Sequence, residues 1–135
     1  MTRKPSRKGL QVFTALLGSV AVVAGLSTVL LGADSIAGAE SVSPSVDSEM
    51  RFYAVWYFGA GLALLRSVPR VESDSTIIRA VAALFFLAGC SRALSWMVLG
   101  KPHTVAVVLM VIELVLPLMI VPWQAAVARA RTANN

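Results

Sequence analysis

Residues Leu10 to Gly32 run for 23 positions without one charged side chain, and His103 to Trp123 run for 21 with a single one, Glu113. A helix needs roughly 20 apolar residues to cross the hydrocarbon core of a bilayer. Both runs meet that length outright. Two shorter stretches follow the same pattern. Phe52 to Leu65 is uncharged and bounded by Arg51 and Arg66. Ala80 to Ser91 is uncharged, and beyond Arg92 the chain is apolar again to Leu99. The first of these crosses if its two arginines snorkel to water at either end. The second crosses if Arg92 is tolerated inside.

Composition decides between a membrane protein and a water-soluble bundle. Only 14% of the 135 residues are charged, 57% are hydrophobic, and the mean hydropathy is +0.75. A soluble domain covers its surface with about a quarter charged residues. None of the four segments has a clear polar face, so a soluble four-helix core is excluded on polarity. The expected fold is an all-α membrane protein, a four-transmembrane-helix bundle with helices at about 10–32, 49–66, 77–99 and 104–124. A basic tail, 1–9, precedes this domain, and a second tail, 125–135, follows it. The start MTRKPSRK, with Ala37-Gly38-Ala39 downstream, imitates a secretory signal. Its apolar run exceeds the about 7–15 residues of a signal core, so a retained first span is expected.

Charge placement orients the segments. Arg3, Lys4, Arg7 and Lys8 precede the first, Arg66, Arg70 and Arg79 flank the second connection, and Arg129 and Arg131 follow the last. Only Arg51, Lys101 and Arg92 fall toward the other end. The positive-inside rule then places both termini in the cytoplasm. The first connection carries Asp34, Glu40 and Asp47 on the opposite side. The net charge of +5 is accordingly a topology signal and an attraction to anionic lipid headgroups, not a nucleic-acid signal. Expected partners are membrane lipids and a protein partner or homo-oligomer, in the cell membrane.

Local signals refine this outline. Asp47-Ser48-Glu49-Met50 reads as the entry to the second helix, capped by Ser45 or Asp47, and Asp74 or Ser75 as the cap of the third. LGKPH is short enough to force the last two helices to be antiparallel neighbours. Ala21/Gly25 and Gly59/Ala63 are spaced for close helix contact. Trp96 and Trp123 suit an interfacial aromatic belt. Cys90 reads as a small buried side chain, unable to form an intrachain disulfide because it is the only cysteine.

The residues with chemistry lie in the last two helices. Glu113 is nine residues into its helix, about 13–14 Å deep at 1.5 Å per residue, and Arg92 is roughly 10 Å from the same end. Opposite charges at similar depth on neighbouring helices predict an Arg92–Glu113 ion pair, because an unpaired charge at a span's centre costs roughly 2.5–3.5 kcal/mol. Arg51 is expected at the mouth, with Ser91 or Ser95 as neutral partners. Pro117 removes the N–H that would bond the Glu113 carbonyl, predicting a helix kink at that turn. This polar cluster is either an interhelix lock or a ligand site. The lone histidine, His103, and the absence of a cysteine pair argue against zinc. There is no nucleophile elbow, no Gly-rich phosphate loop, and no catalytic residue or cofactor is expected.

RFYAVWYFGAGLALL, GCSRALSWMVLGKPH and ELVLP together resemble a bacterial family of small four-helix membrane proteins catalogued as a domain of unknown function. Arg51, Arg92, Ser95, Gly100, Pro102 and Glu113 carry the resemblance, which covers about residues 10 to 124. More loosely, the layout is similar to the DoxX-like group. The resemblance implies architecture and a polar cluster, and no reaction. The functional expectation is a non-enzymatic accessory or assembly subunit of a larger membrane or envelope complex. The alternative is a lipid-, small-molecule- or ion-binding protein or oligomeric transporter, with a polar pocket on the extracytoplasmic side.

Overall fold

The computed structural model describes residues 6–133. Four helices account for most of them: α1 Arg7–Leu31, α2 Pro44–Ser67, α3 Ser75–Leu99 and α4 Thr104–Thr132, with 3-10 turns at Gly32–Ser35 and Val68–Arg70. By length and composition, three are apolar enough to cross a membrane: α1 with the turn that follows it, α3 and α4. The expected second span, α2, is not among them. α2 falls short because its opening turns carry Asp47, Glu49 and Arg51 and its last turn carries Arg66.

The helix ends follow local chemistry. Ser6 caps α1 by accepting from the Gly9 N–H at 3.0 Å. At the far end Gly32, at φ 61°, turns the chain and sends its N–H back to the Thr28 carbonyl. α2 begins five residues before the expected 49, with Ser43 accepting from the Val46 N–H and Pro44 inside the first turn. Proline is pre-set for a first turn, where its missing N–H costs nothing. Asp74 occupies the cap position of α3 without a capping bond, and its carboxylate lies 3.9 Å from Arg70. α4 continues to Thr132, past the expected 124, through both Pro117 and Pro122. Its last turn holds Arg129 and Arg131, which complement the negative end of the helix dipole.

α1 packs along α2 and α3 along α4, and the two hairpins meet through shorter α2–α3 and α1–α4 contacts. The α1–α2 seam is close because it has small residues on both sides. A Cβ on Gly25 would sit 2.6 Å from the Phe58 backbone nitrogen, and one on Gly61 would sit 2.7 Å from that of Val22. The expected Ala21/Gly25 pair lies buried in this seam. Gly59, by contrast, faces open space, so Gly61 takes its place on the α2 side.

The core lies toward the end that holds the termini. Leu10, Val71, Ile78, Ala82, Ile120 and Val127 form one buried cluster. Ala21, Leu64, Val81 and Phe85 form a second. In α3 the last buried residue is Gly89, and in α4 the first is Glu113. Thus none of residues 90–99 or 104–112 is buried. The α3–α4 hairpin leaves the bundle uncovered beyond the level of Glu113. The connection between α1 and α2 still reaches across to it: a Cβ on Gly38 would sit 2.7 Å from the Cβ of His103.

Candidate functional site

At the floor of that uncovered region, Arg92 Nε donates to Glu113 Oε2 at 2.8 Å. The two side chains differ in access: Glu113 is 2% exposed and Arg92 39%. Gly89, one turn before Arg92, makes the approach of α4 possible. A Cβ there would sit 2.8 Å from Leu114 Cγ and 3.2 Å from Glu113 Cβ. The backbone thus brings α4 against α3 at the residue that carries the acid.

The pair is only partly satisfied. Glu113 Oε1 is buried without a hydrogen-bond partner. Among the described residues, the single hydrogen bond of Arg92 is the one through Nε, which leaves both Nη groups free. Tyr57 of α2 lies within electrostatic reach of both charges and packs on Phe85 of α3, ring centroids 5.3 Å apart. The guanidinium and the carboxylate thus come from α3 and α4, and α2 adds an aromatic ring that packs on α3. Pro117 is buried one turn below, with no N–H to offer the Glu113 carbonyl. Past it lies a cavity of about 10 Å³ walled by Phe85, Leu116, Pro117, Ile120 and other apolar side chains. A space of that size holds at most one water, and these walls give a water no partners.

The remaining candidates lie apart from the pair. Arg51 donates from Nε to Asp47 Oδ2 at 2.7 Å, and from Nη1 to the carbonyls of Val29 at 2.8 Å and Leu30 at 3.0 Å. Asp47 Oδ1 accepts from the Ala33 N–H. Together these two residues close the C-terminus of α1, whose last carbonyls have no partner within the helix. Ser91 donates to the Ala88 carbonyl of its own helix. Ser95 is exposed and makes no hydrogen bond among the described residues. Cys90, expected to be buried, is exposed on α3. His103 caps α4, its Nδ1 accepting from the Val105 N–H at 3.3 Å. No metal-sized group of His, Cys, Asp and Glu occurs among the described residues.

Sequence reasoning passed over a second charged node at the termini end. Glu72, in the connection before α3, accepts from Arg7 Nε at 3.0 Å and from Arg131 Nη1 at 2.6 Å. Its side chain is 8% exposed. The Arg7 hydrogen bond first, with the Arg131 charge adding to it, holds the Glu72 carboxyl below the usual carboxylate range. Nearby, buried Gln124 donates to the Val71 carbonyl at 3.2 Å. The available signal was that Arg7, Glu72 and Arg131 all lie at the same end of an even number of helices.

The model of the domain of unknown function DUF4345 matches residues 9–124. The chain belongs to this family. DUF4345 thus runs from the first turn of α1 to Gln124 in α4, and takes in both members of the Arg92–Glu113 pair. No curated protein and no solved structure matches the chain. Nothing among these findings supports the looser DoxX-like resemblance. Family membership brings no reaction with it.

Proposed function

We propose that this DUF4345 protein crosses the cell membrane four times, with both termini in the cytoplasm, and binds an amphiphile at Arg92 and Glu113 from the extracytoplasmic side. Among the described residues, Arg7, Lys8, Arg66, Arg70, Arg79, Arg129 and Arg131 lie toward the end where α1 starts and α4 finishes, which supports the orientation. α2 is the fourth crossing in this reading. It packs along α1, Phe52 to Leu65 is uncharged, and Arg51 is neutralised by Asp47. Its 24 residues extend about 36 Å, enough for a core of roughly 30 Å.

The observation that carries the binding reading is the unused hydrogen-bonding capacity of the pair. A lock would be expected to saturate its polar groups, because bare polar atoms in hydrocarbon are costly. Here a buried carboxylate oxygen has no partner, and a 39% exposed guanidinium presents free donors below an uncovered hairpin. Arg92 lies seven residues, or about 10 Å, from the end of α3. α3 exceeds the hydrocarbon core by several ångströms, so that depth is within reach of a lipid headgroup or of an amphiphile lying among the outer-leaflet chains. Convergent polar groups among aromatic walls are the usual furniture of a small-molecule site.

The accessory-subunit reading draws on one observation, the exposed aromatic face of Phe52, Tyr53 and Trp56. Lipid contact accounts for that face equally well. The test is native mass spectrometry of the protein released from membrane nanodiscs. One retained amphiphile per chain, lost in Arg92→Gln, is the expected result. A bare wild-type chain, or one bound stoichiometrically to another protein instead, would overturn the proposal.

A further inference from the structure

The Arg92–Glu113 pair is the whole charge inventory at its level of the bundle. α1 has no charged side chain between Leu10 and Leu31, and α2 has none between Phe52 and Leu65. Arg92 is the only charge from Ala80 to Leu99, and Glu113 the only one from Thr104 to Gln124. Besides Arg92 from α3, Tyr57 of α2 is near enough to feel the charge of Glu113. A pair of opposite charges is neutral. In a medium of low dielectric constant, net charge is what costs most.

An anionic head placed on the free Nη groups of Arg92 would upset that balance. The site would hold one cation and two anions, one of them the carboxylate of Glu113, which is 2% exposed and cannot be rescued by water. A proton on Glu113 restores neutrality. Oε1 is the atom available to take it, since it is buried and has no donor pointing at it. The exchange balances: one anion enters from the membrane, one proton enters from water, Glu113 becomes a neutral acid, and the free Nη groups of Arg92 donate to the newcomer. A zwitterionic or cationic head gains nothing from this arrangement.

We infer, building on the amphiphile site proposed above, that this site binds a single-anion amphiphile and a proton together, the anion on Arg92 and the proton on Glu113. The ligand class is a head with one negative charge, such as a phosphodiester lipid or a free sulfonate or carboxylate amphiphile, attached to an acyl or alkyl tail. Coupled binding of this kind makes the affinity for the anion depend on pH even when the anion does not titrate.

The test is isothermal titration of the full chain in neutral maltoside micelles with decanesulfonate, whose head stays ionised throughout. Titrations in buffers of different ionisation enthalpy give the number of protons taken up per anion. The expected result is close to one proton taken up per anion, and an affinity that weakens as pH rises. Glu113→Gln should bind without proton uptake and with a flat pH profile, and Arg92→Gln should not bind. Binding with no proton uptake by the wild type overturns the coupling and leaves the amphiphile site standing. This count needs no variant to fold. A parallel titration with phosphatidylglycerol in zwitterionic nanodiscs separates the sources. Uptake with the lipid alone assigns the site to a headgroup, and uptake with decanesulfonate alone assigns it to a free amphiphile. Failure of both to bind overturns the coupling and the site together.

Discussion

Arg131 Nη1 lies 2.6 Å from Glu72 Oε1, and on the other side the same carboxylate receives Arg7. The first turn of α1 and the last turn of α4 are thus joined through one acid in the α2–α3 connection. The two ends of the helical chain close on each other at the end of the bundle that holds the larger buried cluster.

Glu72 should therefore carry part of the acid sensitivity of folding. Its carboxyl is held below the usual value of 4.5, so the folded state prefers the ionised form. The stabilisation is fully present above that unfolded value and is lost as pH falls through the lower, folded one. Its partners are about half exposed, so the pair is worth about 1 kcal/mol at most. Thermal unfolding in detergent should show a Tm difference between wild type and Glu72→Gln that is constant from pH 6 to 8. The difference should shrink toward zero below about pH 4, by the same linkage.

Removing either member of the membrane pair should have unequal consequences. Arg92→Gln strands a carboxylate that is 2% exposed, whereas Glu113→Gln leaves an arginine that is 39% exposed and able to snorkel. The first change should cost about 3 kcal/mol, in the range for breaking a buried pair, and the second about 1 kcal/mol. Unfolding measured by steric trapping in bicelles gives both values. Equal losses would mean that the exposure difference has no energetic weight.

The α1–α2 seam predicts a contrast between two glycines of similar sequence context. A methyl group at Gly25 meets the Phe58 backbone at 2.6 Å, whereas Gly59 has nothing within 4 Å. Gly25→Ala should lower stability by about 1–3 kcal/mol through overpacking. Gly59→Ala should be neutral or slightly stabilising, since alanine is the better helix former. Parallel thermal melts compare them directly.

Arg51→Gln removes the two bonds to the Val29 and Leu30 carbonyls and frees Asp47. Fraying of the α1 C-terminus should follow, at a cost of about 1 kcal/mol given the arginine's partial exposure. Hydrogen exchange should quicken at the amides of the Gly32–Ser35 turn and leave the Glu72 node unchanged.

Much of the helical layout was legible because lipid imposes simple rules. Long apolar runs mark α1 and α4, and a four-residue link marks α3 and α4 as neighbours. Those same rules put Arg92 and Glu113 at similar depth, and the structure brings them to 2.8 Å. The boundaries were less legible. Span length was read from bilayer thickness, but a helix does not stop where the bilayer does. Ala125-Ala126-Val127-Ala128 continues α4 in favourable residues, and Ser43-Pro44 starts α2 on the water side. Arg51 was placed with the pair because depth alone cannot distinguish a neighbour across the bundle from the adjacent end of α1. Glu72 and Gln124 left no depth signal, since polar residues in or near loops are ordinary. Cys90 shows the same limit, because a lone thiol gives no cue to which face of α3 it occupies.

The pairing of Arg92 with Glu113 is tested most directly by a double-mutant cycle of Arg92→Gln and Glu113→Gln, with unfolding measured by steric trapping in bicelles. The predicted result is a coupling energy of about 1–3 kcal/mol, with the double mutant more stable than Arg92→Gln alone. Losses that add to within about 0.5 kcal/mol would contradict it, because two groups that share a charge-assisted hydrogen bond cannot act independently.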